Sequence, residues 1–259
     1  MKRIMLTVAY DGTNYCGWQI QPTGITVEEV LSRELSKLLG EEIHVLGVSR
    51  TDSGVHALGN LCVFDTETSI PAEKICFAIN QSLPEDIVVQ SSEEVALDFH
   101  PRKCDSIKTY EYTIYNAKVP NPTRSRYTHF FYQPLDVEKM KEASKYLVGE
   151  HDFKSFCSSH SDKENTVRTL TDITIETRDV KDAGGDGHIR EGREIVIRVS
   201  GTGFLYNMVR IIVGTLIRVG TSFWEPEYVK EILNAKDRNV AGPKAPAKGL
   251  MLIKIELGS

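Results

Sequence analysis

Nine consecutive residues, Ser49, Arg50, Thr51, Asp52, Ser53, Gly54, Val55, His56 and Ala57, put an arginine, a carboxylate, a glycine and a histidine into one apparent loop. A guanidinium beside a carboxylate keeps it ionised and oriented, which equips Asp52 to act as a nucleophile or a base. Gly54 lets the backbone turn sharply just past the acid, and the hydroxyls of Thr51 and Ser53 can tie the loop to its own backbone. From composition alone, the favoured reading is that Asp52 and Ser53 simply cap a tight turn. His56 brings a hydrolytic triad to mind, but Ser53 adjoins Asp52 on the chain, no Gly-x-Ser-x-Gly elbow exists, and triads draw their members from separate loops.

The loop needs rigid elements to aim it. Residues 43–48 before it and 58–64 after it read as short strands rich in apolar residues. A strand is predicted over residues 4–10, and a helix over 26–39, with Thr26 and Glu29 as a capping box, an apolar stripe of Val27, Val30, Leu31, Leu35 and Leu38, and Gly40 as its stop. Further helices are expected near 72–82, 136–147, 203–219 and 226–235, and strands near 87–94, 109–115, 169–177, 194–200 and 249–257. Residues 180–193, with Gly184, Gly185 and Gly187, resemble a hairpin tip, and Pro120-Asn121-Pro122 breaks structure within the loop 116–126. Strands outnumber suitably placed crossover helices, so the class is α+β.

The 259 residues suffice for one large domain or two modest ones. Residues 1–10 are too short and too strand-like for a signal peptide or membrane span, which points to the cytoplasm. Five scattered cysteines without a Cys-x-x-Cys pair argue against a disulfide framework and a thiolate zinc site, and the seven histidines show no metal-ligand spacing. A net charge of −5 excludes a generic polycation that coats nucleic acid, though not a local basic cleft.

The segment 49–57 closely resembles the Gly-Arg-Thr-Asp-Ala-Gly-Val-His-Ala signature of the TruA family of tRNA pseudouridine synthases, with Ser49 and Ser53 as small departures. Further matches are Tyr10-Asp11-Gly12-Thr13 with Gly17-Trp18-Gln19; Phe99-His100 with Arg102; residues 110–116; Met208-Val209-Arg210 with Gly214; and Ala241-Gly242-Pro243 through Ala245-Pro246-Ala247 to Gly249-Leu250. The resemblance spans essentially the whole chain. It implies a pseudouridine synthase fold, two α+β halves (1–105 and 106–259) sharing an extended, mainly antiparallel sheet with a central active-site cleft. It also implies isomerisation of uridines 38, 39 and 40 in the tRNA anticodon stem-loop, no cofactor or metal, and a homodimer.

By the same match Asp52 is the catalytic residue, Tyr110 the active-site tyrosine, and Arg210 the partner of the aspartate. The residues fit these roles. Arg50 could fill the gap left by an extruded uridine or hold its phosphate, or pair with a surface acid. Tyr110 and Tyr112 should share a strand face, where an aromatic ring can floor a flipped uracil, with Lys108 two residues before Tyr110; for Tyr112 and Tyr115 core packing is expected. Arg210, within an apolar helix, needs a partner unless it snorkels at the edge, and Gly214 one turn on allows close packing. His100 and Arg102 are expected on RNA backbone. Rival readings are a catalytically silent RNA-binding module and a small-molecule hydrolase using Asp52 and His56.

Overall fold

A computed structural model describes residues 1–158, 165–183 and 189–258. Ten strands and five α-helices occur among them, an α+β protein. They gather into two compact units, one made of residues 1–106 with the C-terminal strand from Met251, the other of residues 107–250.

In the first unit β1 (Lys2–Tyr10) pairs antiparallel with β3 (His56–Thr66) on one side and β4 (Ile87–Val95) on the other. The short β2 (Leu46–Gly47) also pairs with β3, and the last strand, β10 (Leu250–Leu257), runs parallel to it through Met251 and Leu252. The strand expected over 43–48 shrinks to two residues. Helix α1 (Val27–Leu39) begins where the Thr26 hydroxyl accepts from the Glu29 amide, and ends at Gly40 in the left-handed region at φ 69°. Its predicted stripe is buried except Leu38, which lies in the last turn. Over 72–82 a 3-10 turn (Ala72–Lys74) precedes the short α2 (Ile75–Ile79).

In the second unit β5 (Ser106–Ala117) pairs antiparallel with β9 (Ile189–Gly201), β9 with β8 (Val167–Ala183), and β8 with β7 (Gly149–Asp152). The three-residue β6 (His129–Phe131) runs parallel to β5. The hairpin expected over 180–193 is present as β8 and β9, while 184–188 at its tip fall outside the described residues. Helices α3 (Val137–Lys145), α4 (Met208–Gly220) and α5 (Tyr228–Ala235) complete the unit.

Helix α4 starts five residues later than its apolar pattern predicts. Asn207 sits in the left-handed region at φ 60°, so residues 203–207 stay outside the helix, with Leu205 buried and Tyr206 exposed. Every residue of α4 except Arg218 is buried, as expected of a helix that is apolar all round. The segment 241–249 lies directly on it: a Cβ at Gly214 would come 1.7 Å from the Pro243 carbonyl oxygen, and the Gly242 amide donates to the Thr215 hydroxyl at 3.0 Å. No helix among the described residues is long and apolar enough to cross a membrane.

Because the obstacle at Gly214 is backbone, Gly214→Ala should lower the free energy of unfolding by about 3 kcal/mol, read as a shift of the urea midpoint. A loss below about 1 kcal/mol would show that the strap over α4 yields freely.

Candidate active site

The first unit holds the acid-bearing loop by backbone contact. A Cβ at Gly12 would lie 2.0 Å from the Val55 carbonyl oxygen, and one at Gly17 would lie 2.5 Å from that of Thr51. Gly17 also has φ +88°, a conformation that L side chains rarely adopt. Through this approach the Trp18 amide donates to the Thr51 carbonyl at 3.1 Å, and the Gly54 amide to the Tyr15 carbonyl at 3.2 Å. Within the loop the Val55 amide donates to the Asp52 carbonyl at 3.1 Å, and Gly54 makes the turn at φ 75°.

Beneath the loop lies a buried polar network. The Tyr10 hydroxyl and the Thr51 Oγ1 are 2.7 Å apart, and the fully buried Asn60 amide donates to the Tyr10 oxygen at 3.3 Å and to the Ser49 carbonyl at 3.1 Å. Ser49 and Thr51 are thus fixed on either side of Arg50, whose side chain is exposed, while Asp52 is half-buried. Arg102 also reaches this region, its Nε donating to the Gly47 carbonyl at 3.1 Å. Burial, and then the Arg50 guanidinium nearby, push Arg102 below its usual value; a guanidinium remains charged at neutral pH nonetheless. His100 accepts from the Arg102 amide through Nδ1 at 3.2 Å, so it shapes the turn that presents Arg102. Arg50 and Arg102 form a basic pair that an anionic ligand could bridge.

His56 belongs to a different set of contacts. It is buried, and its Nδ1 lies 3.1 Å from the Gly12 amide and 3.0 Å from Asp11 Oδ1, whereas Ser53 Oγ donates to the Tyr15 carbonyl at 3.3 Å. These partners serve the packing of segment 11–17 under the loop and give a hydrolytic triad no support.

In the second unit Lys108 and Tyr110 lie two apart on β5, on the face they share with Tyr112. Tyr110 is buried edge-on against Phe204 at 5.1 Å between ring centres, so its ring plane is set. Tyr112 is a packing residue, as expected. Its hydroxyl donates to the Pro246 carbonyl at 2.9 Å, its ring leaves no room for a Cβ at Gly249, and burial pushes its phenol well above the usual range.

Arg210 is buried on the first turn of α4, with Nε donating to the Ala245 carbonyl at 2.8 Å and Nη1 to the Asn207 Oδ1 at 2.9 Å. The Ala245 amide returns a bond to the Arg210 carbonyl at 3.1 Å. The left-handed Asn207 therefore turns its side chain back to orient the guanidinium, and Arg210 does not snorkel at the helix edge. The first unit carries Arg50, Asp52, His100 and Arg102; the second carries Lys108, Tyr110 and Arg210.

Sequence reasoning gave no role to Asn60 or Asn207. A lone amide immediately before the apolar run Leu61-Cys62-Val63-Phe64 was the available signal, since a buried amide must find partners.

A tRNA pseudouridine synthase family model matches residues 6–102 and 143–256. The chain is 47% identical over 255 residues to the "tRNA pseudouridine synthase A 2" of Clostridium perfringens (strain 13 / Type A). It is 46% identical to the "tRNA pseudouridine synthase A" of Thermoanaerobacter sp. (strain X514) and 44% identical to that of Brevibacillus brevis. Each alignment covers 98% of this chain and 99% of the relative.

Asn60→Leu, which keeps the branching and heavy-atom count and removes both donors, leaves the buried Ser49 carbonyl without that bond and should cost about 1–3 kcal/mol. Hydrogen exchange of the amides of residues 49–55 should accelerate more than that of β1; uniform acceleration across the unit would contradict a role specific to the loop.

Proposed function

The chain belongs to the tRNA pseudouridine synthase family, and from that premise we propose that it isomerises uridine to pseudouridine at positions 38, 39 and 40 of the tRNA anticodon stem-loop, with Asp52 as the catalytic nucleophile or base. The reaction breaks the bond between ribose C1′ and uracil N1, forms one between C1′ and C5, releases the C5 proton to solvent and takes one up at N1, so that the product is an isomer of the substrate. It consumes no oxidant and no phosphate energy, so side chains alone can carry it. Asp52 acts at the ribose, by attack on C1′ or by taking a proton from C2′.

The observation that carries this reading is the seating of Asp52: a half-buried carboxylate on a loop whose flanking residues are fixed by backbone and buried side-chain hydrogen bonds. Such preorganisation is what a group acting at one defined atom requires. A uridine within a stem must leave the stack to be reached. Tyr110 offers its ring to the extruded uracil, and base-on-aromatic stacking contributes about 1–3 kcal/mol. Arg50, Arg102 and His100 bind the RNA backbone, and Lys108 and Arg210 complete the substrate contacts. The enzyme acts in the cytoplasm as a homodimer, which would gather the basic residues of an acidic chain around one RNA.

With tRNA transcripts carrying [5-³H]uridine, the wild type should release tritium, and Asp52→Asn should abolish release while tRNA binding persists. Release by the Asn variant at the wild-type rate would remove Asp52 from the chemistry. A wild type that binds tRNA without release would favour the silent RNA-binding module.

A further inference from the structure

The second unit has an open cavity of about 540 Å³ on one face of β5, β9 and β8, within the size range of small-ligand sites. Strand register builds its floor. Asn116 pairs with Arg193 and Arg193 with Asp179, while Lys181 pairs with Glu191 one step along. These five side chains share a face, and Lys118, one residue past the end of β5, also lines the cavity. The opposite face carries the apolar cluster of Tyr115, Ala117 and Val180.

One wall is Tyr132 with Pro134, and it is built in advance of any ligand. The buried Asn116 amide donates to the carbonyls of Phe131 at 2.8 Å and Gln133 at 2.7 Å. Arg193 donates through Nε to Asn116 Oδ1 at 3.3 Å and through Nη2 to the Leu135 carbonyl. Segment 131–135 is thereby pinned at three carbonyls. Tyr132 stays 64% exposed, its ring nearly parallel to that of Phe131 at 28° and 6.3 Å between centres.

The chemistry of this lining selects a ligand. An exposed, backed tyrosine ring offers a stacking face that any base can use. Lys118 and Lys181 present exposed ammonium groups suited to a phosphate. The carboxylates of Asp179 and Glu191 repel a bare anion but accept from exocyclic amino groups, which adenine, guanine and cytosine carry and uracil lacks. We propose that this cavity binds one unpaired, amino-bearing nucleotide of the RNA substrate, its base against Tyr132 and its phosphate toward Lys118 and Lys181. None of the lining residues is among those assigned above to the reaction on uridine, and the choice of RNA as ligand rests on the function proposed above.

Equilibrium binding of a fluorescein-labelled tRNA transcript tests it. Tyr132→Ala should weaken binding about tenfold, and Tyr132→Phe should stay within twofold of wild type, since the ring does the stacking. The double variant Lys118→Ala/Lys181→Ala should weaken binding and reduce the slope of log Kd against log salt by about one for each phosphate that the lysines neutralise. Binding by Tyr132→Ala within twofold of wild type, or an equal loss in Tyr132→Phe, overturns the proposal. Wild-type tritium release is measured alongside. Release together with Tyr132-independent binding overturns the cavity alone; absence of release with Tyr132-dependent binding retains the cavity and overturns the isomerase reading.

Discussion

The first unit is organised by a contact between two stretches of backbone. At Gly12 and Gly17 the chain of segment 10–18 meets the loop 49–55 so closely that a methyl group would overlap carbonyl oxygens. Neither side can move alone, because amides on both strands cross the gap to carbonyls on the other. A side chain mounted on such a loop inherits the stiffness of the sheet beneath it, and Asp52 is that side chain. The polar network of Tyr10, Asn60, Ser49 and Thr51 completes the arrangement from below, where water cannot substitute for a missing partner.

The second unit solves a similar problem with a different device. A guanidinium cannot be buried in an apolar helix without donors being satisfied. Arg210 meets that demand by leaning on the strap 241–249, which touches α4 at Gly214 and Thr215 and β5 at Tyr112. Asn207 contributes by leaving helical geometry, so the irregular start of α4 and the orientation of Arg210 are one feature. The glycines of the strap are thus explained by contact: Gly242 and Gly249 lie where a Cβ would strike backbone or ring.

Much of this was legible in the sequence. Period and capping located α1 to within a residue, because Thr26, Glu29 and Gly40 act locally. The charged loop was recognisable from its residue types alone, and its likeness to a family signature supplied the chemistry that composition left open. Less legible were features decided at long range. Residues 43–48 are apolar enough for a strand but find a ladder partner only at Leu46 and Gly47. The apolar run 203–207 reads as helix, yet Arg210 needs Asn207 elsewhere. No local pattern announces that β10 pairs with His56 and Ala57, since that contact spans about two hundred residues. Asn60 escaped because a single polar residue in a strand is silent until its partners are known.

On the reading proposed above, the close approach of segment 10–18 has two consequences, seating Asp52 for its reaction and stabilising the fold, and Gly17→Ala separates them when the turnover rate at saturating tRNA and the Kd for tRNA are both measured on folded protein. The expected rate is lower by about 100-fold, the scale of a displacement near 1 Å in a catalytic group, with Kd changed less than threefold. An unchanged rate in the folded variant would contradict the positioning role.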